Sequence, residues 1–109
     1  MITVKIKRND KNEIISFELN GHAGYSSNGK DIVCAAVSAV TNMALIGLGE
    51  ELALPLNFKK GEGGYLKCEL VNIPTDKMKL AQFLLSCMVI EYRDIENNYG
   101  KYIKVIDEE

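Results

Sequence analysis

Between Ile32 and Gly49 the chain carries no charged residue. Ile32, Val33, Ala36, Val37, Val40, Met43, Leu45, Ile46 and Leu48 spread apolar surface around nearly the whole circumference of a helix. Asp31 stands directly before this stretch, where its carboxylate can accept from a free backbone N–H of the first turn. We therefore expect a helix from Asp31 to about Leu52. Gly47 and Gly49 weaken its last turns, and Pro55 stops it from continuing. Such a helix has to be covered on more than one face. A chain of 109 residues offers a sheet and one further helix for that purpose. A homodimer interface is the expected remaining cover. A membrane span is the alternative, but Ser38, Thr41, Asn42, Gly47 and Gly49 make the stretch poor for lipid, which requires about 20 predominantly apolar residues. A buried core helix is expected, with no membrane as partner.

The remaining elements follow from periodicity. Ile2, Val4 and Ile6 alternate with Thr3, Lys5 and Lys7, and Ile15, Phe17 and Leu19 alternate with Ser16 and Glu18. These are two half-buried strands, paired as an antiparallel hairpin across the polar turn Arg8 to Asn12. The loop HAGYSSNGK after Asn20-Gly21 has turn chemistry throughout and is expected to be mobile. Leu56 to Lys60 and Tyr65 to Val71 flank Gly61-Glu62-Gly63-Gly64 as a second hairpin with a short first arm. Pro74 and Thr75 start a second helix, with Leu80, Phe83, Leu84, Cys87 and Met88 as its expected buried stripe. Gly100 ends that region, Lys101 to Ile106 form a last strand, and Asp107-Glu108-Glu109 are expected as a solvated tail. The fold class is α+β: a single domain over residues 1–109, in the order strand, strand, helix, short strand, strand, helix, strand, with two helices packed on a mixed sheet. These patterns do not set the sheet order.

Composition excludes several functions. Hydrophobic residues make up 47% of the chain, enough for a core. Thirteen basic against 15 acidic residues give a net charge of −2, and no long basic run exists, so direct nucleic-acid binding is not expected. Cys34, Cys68 and Cys87 are odd in number and scattered, unlike a secreted disulfide framework. The opening MITVKIKRN reads as a strand and lacks a signal peptide's apolar region, so a cytoplasmic location is expected. One histidine and three dispersed cysteines give no close ligand pair for a metal, and no CxxC motif is present. The GEGG turn lacks the Lys-Ser/Thr and helix of a phosphate loop. No metal or cofactor is expected.

With Asp31 as cap, Cys34 is the third helical residue. Unpaired N–H groups and the helix dipole favour negative charge there, and a thiolate is the attacking form of cysteine. Asp31 works against this unless its carboxylate is tied to the backbone. His22, the only histidine, lies twelve positions earlier at the mouth of the loop, and at about 3.3 Å per residue the loop can fold it back onto the helix start. Thiol and imidazole are the two parts of nucleophilic catalysis, and free N–H groups at the helix start are candidate holders of an oxyanion. Against this stands the usual role of cysteine on an apolar helix, which is packing. Packing is the expected role of Cys68 and Cys87.

Gly21-His22-Ala23, the Gly/Ser-rich loop and Asp31-Ile32-Val33-Cys34-Ala35-Ala36-Val37-Ser38-Ala39 closely resemble the ribosomal-processing cysteine protease family, Prp. The likeness extends through the MITV start, the GG turn before a strand, and the C-terminal helix and strand. The resemblance implies a homodimeric endopeptidase with a dyad of Cys34 and His22. It implies as substrate the precursor of protein twenty-seven of the large ribosomal subunit, whose short, Phe-ended N-terminal extension is removed. It also implies that the loop, here Ala23 to Lys30, moves aside for substrate. Asp31 is assigned to capping, with orientation of His22 as a second role. For Ser38, hydrogen bonding at the active centre and close packing both stay open. Gly21, Ala23, Gly24 and Tyr25, with Ile32 beside the loop, are candidate substrate contacts. Two other readings remain: a non-catalytic ribosome-assembly factor that binds a ribosomal protein, and a thiol redox sensor acting through Cys34.

Overall fold

The computed structural model describes residues 1–27 and 29–108. Asn28, in the loop, and Glu109, at the end of the expected tail, lie outside the described residues. Five strands form one mixed sheet in the order β3-β4-β2-β1-β5, with two helices packed on it. They are β1 (Ile2–Arg8), β2 (Ile14–Asn20), β3 (Leu56–Gly61), β4 (Tyr65–Leu70) and β5 (Ile103–Glu108). The helices are α1 (Ile32–Ile46), continued by a π-helical turn at Gly47–Glu51, and α2 (Thr75–Tyr99). The expected element order holds, and β3 is as long as β4 rather than a short arm. Antiparallel pairs join β1 to β2, β2 to β4 and β3 to β4, while β5 runs parallel to β1.

Ile2, Val4 and Ile6 of β1, Phe17 and Leu19 of β2, Cys68 of β4 and Ile103 of β5 are buried in one core with Val33, Val37, Ala44 and Leu48. The strict alternation expected for β2 breaks at its start. A register shift beside Arg8 places Ile14 inside, fully buried, and leaves Ile15 only half-buried. The Ile14 backbone is held from α2, where the Gln82 amide accepts from its N–H and donates to its carbonyl.

The helix α1 buries one stripe, Val33, Val37, Thr41 and Ala44, and exposes Ile32, Met43 and Ile46. Burial on every side is therefore not reached within one chain. Among the described residues this is the one helix, with its π-turn, that is long and apolar enough to cross a membrane. At Gly47 a Cβ would stand 2.5 Å from Leu84 Cδ2, so glycine lets α2 approach α1 closely.

Two expectations are corrected. The buried face of α2 is Ala81, Leu85, Met88, Val89, Tyr92 and Ile95. Of the expected stripe only Met88 is fully buried; Leu80, Phe83 and Cys87 are exposed, Phe83 by 73%. The reason is Tyr92. Its hydroxyl meets Thr41 Oγ1 at 2.5 Å inside the core, and Thr41 in turn donates to the Val37 carbonyl. A tyrosine with a partner for its O–H can be buried whole, and it draws its own helix face inward. Asp107 and Glu108 also form no tail, since both lie in β5. Asp107 lies in β5, opposite Ile6 of β1, and accepts from Arg8 Nε and Nη2 at 2.8 and 3.0 Å. That paired guanidinium holds the Asp107 carboxyl below its ordinary range.

Candidate active site

The sequence GHA ends β2 and turns the chain toward the start of α1. Gly21 has φ +93, and a Cβ there would run into the Met1 carbonyl oxygen, so only glycine makes this turn without displacing β1. Ala23 is buried by the turn. Its backbone N–H points at Cys34 and donates to Sγ at 3.3 Å. The residue after the sole histidine is thereby tied to the cysteine sulfur, and that contact brings the two halves of the site together.

Asp31 does more than cap. Its Oδ1 accepts from the N–H groups of Val33 and Cys34, both at 3.0 Å. Its Oδ2 accepts from Tyr25 at 2.9 Å and Ser26 at 3.4 Å. One carboxylate thus joins the loop to the first turn of α1. Donation by the Cys34 N–H, and then by Ser26, Tyr25 and Val33, holds its pKa below the ordinary 3.8. Its charge is spent on four backbone donors, which answers the objection that it opposes a thiolate nearby. Bonds to Asp31 occupy three of the candidate oxyanion donors. The N–H groups of Val33 and Cys34 go to Asp31, and that of Ala35 goes to the Asp31 carbonyl at 3.0 Å.

A depressed folded-state pKa contributes stability above the unfolded value and loses it as pH falls through the folded one. Asp31→Ala is therefore expected to lower the melting temperature at neutral pH. The gap from the parent protein should narrow below about pH 4 as the parent's carboxylate protonates. Thermal melts of both proteins from pH 7 downward check this; a gap that stays constant into strong acid contradicts the cap.

His22, Gly24, Ser26, Gly29, Asp31, Cys34, Ala35 and Ser38 line one cavity of about 570 Å³. Cys34 is partly exposed and His22 exposed, so both are open to a substrate. Ser38, one helical turn beyond Cys34, is exposed on the same wall. It also borders a second cavity, which runs past Leu19, Asn42, Lys60 and Leu66 toward the β3–β4 turn. Of the candidate substrate contacts, Gly24 lines the first cavity. Gly21 and Ile32 do not line it, though Ile32 is exposed, and Ala23 offers its N–H to the sulfur. Tyr25 points elsewhere: its ring meets Tyr99 and Tyr102 edge-on, with centroids 5.7 and 5.1 Å away, and anchors the loop to the end of α2. Sequence reasoning passed over Ser26, Gly29 and Ala35 as lining residues, and the Ala23 amide, whose role lies in the backbone, where residue type leaves no mark.

The other thiols differ. Cys68 is fully buried, and desolvation raises its pKa to about 11. Cys87 is exposed on α2 instead of packed. Among the described residues no three His, Cys, Asp or Glu side chains gather as a metal site.

A family model described as cysteine protease Prp matches residues 1–104. The ribosomal processing cysteine protease Prp of Bacillus subtilis is 32% identical over 110 residues, covering 96% of this chain and 96% of its own. Its namesake from Staphylococcus aureus strain NCTC 8325 is 34% identical over 108 residues, covering 96% and 97%. The crystal structure of the S. aureus protease Prp with a covalently linked product peptide matches with a TM-score of 0.89 at 28% identity, over 99% of this chain and 100% of that one. The same protease with a substrate peptide matches with a TM-score of 0.84 at 27% identity, over 99% and 100%.

Proposed function

Since this chain belongs to the cysteine protease Prp family, we propose that Cys34 is its nucleophile, that His22 is its base, and that its substrate is a ribosomal protein precursor. It is a cysteine protease. The proposed precursor is protein twenty-seven of the large ribosomal subunit, cut at the end of its N-terminal extension. The relatives' designation as ribosomal processing proteases supports that choice.

The observation that carries the reading is the meeting of His22 and Cys34 on one cavity, with the Ala23 N–H directed at the sulfur. His22 takes the Cys34 proton, and the sulfur attacks the scissile carbonyl. The Ala23 N–H donates to the sulfur and holds it at the start of α1. The imidazolium then protonates the leaving amine, and a thioester to Cys34 remains. Water, deprotonated by His22, hydrolyses the thioester and returns the free thiol. Asp31 holds loop and helix start together, and Ser38 stands on the wall along which a peptide lies.

Purified protein is mixed with a peptide spanning the extension junction, and the peptide's mass is followed. Loss of the extension, absent with Cys34→Ala and with His22→Ala, is the expected result. Unchanged peptide bound equally well with or without the extension favours a non-catalytic assembly factor instead.

A homodimer is proposed as the cover for the apolar surface left by one chain. Met43 and Ile46 of α1 and Phe83 and Ile90 of α2 are each half or more exposed. Sedimentation at micromolar concentration should give twice the 12.1 kDa chain mass, and Phe83→Asp should give monomers; a monomeric parent protein contradicts it. A cytoplasmic location is also proposed: all three cysteines are free thiols, and a reducing compartment keeps such a nucleophile active.

A further inference from the structure

The residues placed so far lie on the loop and on α1. The turn between β3 and β4 approaches the same histidine. The β2–β4 register pairs Leu19 with Leu66, and its continuation brings Gly64 opposite Gly21. Gly64 has φ +74. A Cβ there would run into the Gly21 carbonyl oxygen, stand 3.0 Å from the Gly21 carbonyl carbon and come within 3.3 Å of His22 Cε1. The Gly21 peptide cannot simply retreat, because Gly21 itself is set against the Met1 carbonyl. The peptide that carries His22 is therefore confined between the start of β1 and the β3–β4 turn.

Gly63 shows that turn geometry is not the whole reason for glycine at 64. It has φ +71, nearly the same backbone conformation, yet a Cβ there would meet no atom within 4 Å. Glycine at 63 serves the left-handed backbone alone. Glycine at 64 serves the backbone and also leaves room for the Gly21–His22 peptide and the imidazole edge.

We infer that Gly64 is a positioning residue for His22: the bare backbone of the β3–β4 turn is the backstop that sets where the imidazole stands relative to Cys34. This rests on the reading of His22 as the base. A side chain at 64 pushes the Gly21–His22 peptide, and misplacing a catalytic group by about 1 Å costs on the order of 100-fold in rate.

The test compares Gly64→Asn with Gly63→Asn. Asparagine tolerates the left-handed conformation better than most residues, so both variants carry a similar, small backbone strain and differ in what the new side chain meets. Peptide cleavage is expected to fall roughly 10- to 100-fold in kcat for Gly64→Asn, with KM nearly unchanged. Gly63→Asn should stay close to the parent. The pH profile of Cys34 alkylation should move in Gly64→Asn alone, which a merely structural role would not cause. Equal activity of the two variants overturns the inference, as does a loss confined to KM with an unmoved alkylation profile. If Gly64→Asn does not fold, the parent protein still decides. In an NMR pH titration the Gly64 amide resonance should follow His22 protonation while that of Gly63 does not, and a silent Gly64 overturns the inference. A fully active His22→Ala defeats the underlying reading as well. An inactive His22→Ala beside a normal Gly64→Asn defeats only the backstop.

Discussion

Cys34→Ala is expected to abolish cleavage of a peptide spanning the extension junction, with a fall in kcat/KM on the order of 10⁵-fold, while the protein still melts cooperatively. Without the sulfur no thioester forms, and the two hydroxyls lining the cavity do not replace it: Ser38 is a full helical turn away, Ser26 lies in the loop, and no base is assigned to either. The fold should survive, because Cys34 is only partly buried and its neighbours Val33 and Val37 carry the packing of that end of α1. The loss in stability should be about 1 kcal/mol, from the Ala23 N–H left without its sulfur acceptor and one small group removed. Cys34→Ser is the stricter comparison. It keeps shape and acceptor, yet the hydroxyl ionises far less readily than a thiol, so cleavage should remain near that of the alanine variant. Rates from a mass assay, set beside thermal melts, check both. Cleavage at the parent rate by either variant contradicts the assignment of the nucleophile.

His22→Ala is expected to cost 10²- to 10⁴-fold at neutral pH, roughly the usual worth of a general base and acid. The residual activity should have a distinctive pH dependence. Raising the pH ionises Cys34 without help from a base, so the acylation half should recover in part. Protonation of the leaving amine should not recover, because no imidazolium is present to supply the proton. The variant should therefore be rescued far better toward a thioester substrate, whose leaving group needs no proton, than toward a peptide. Added imidazole should also restore some peptide cleavage, since His22 stands exposed at the cavity and its removal leaves an open space. Stopped-time mass assays across pH, on both substrate types, make the measurement. Equal losses on both types, unmoved by pH, contradict the role.

Much of this site could be read from residue order. Asp before a long uncharged stretch announces a capped helix, and a cap fixes Cys34 at the third helical position wherever the rest of the chain goes. The loop between His22 and Cys34 is long enough to let them meet; that they do so rests on the Gly21 turn against Met1 and on the Ala23 N–H at the sulfur. What could not be read depends on contacts across the chain. Two faces of α2 are apolar, and periodicity does not choose between them; the Tyr92–Thr41 bond does, and it lies between residues 51 positions apart. Asp107 reads as solvated until β5 is laid parallel to β1 and Arg8 comes beside it. Tyr25 belongs in a loop expected to touch substrate, but its ring goes to Tyr99 and Tyr102 at the far end of the sequence. Three N–H groups at the helix start, those of Val33, Cys34 and Ala35, already bond to the same aspartate that made the helix start legible.

The most direct test of the account uses a peptide that ends at the cleavage site in a chloromethyl ketone, from which a base-activated thiolate displaces chloride. Intact-mass and fragment analysis then locate the label. One peptide per chain is expected, attached to Cys34, with labelling slowed by uncut substrate and nearly lost in His22→Ala. Labelling of exposed Cys87 at the same rate as Cys34, or labelling of Cys34 that is indifferent to His22, would contradict it.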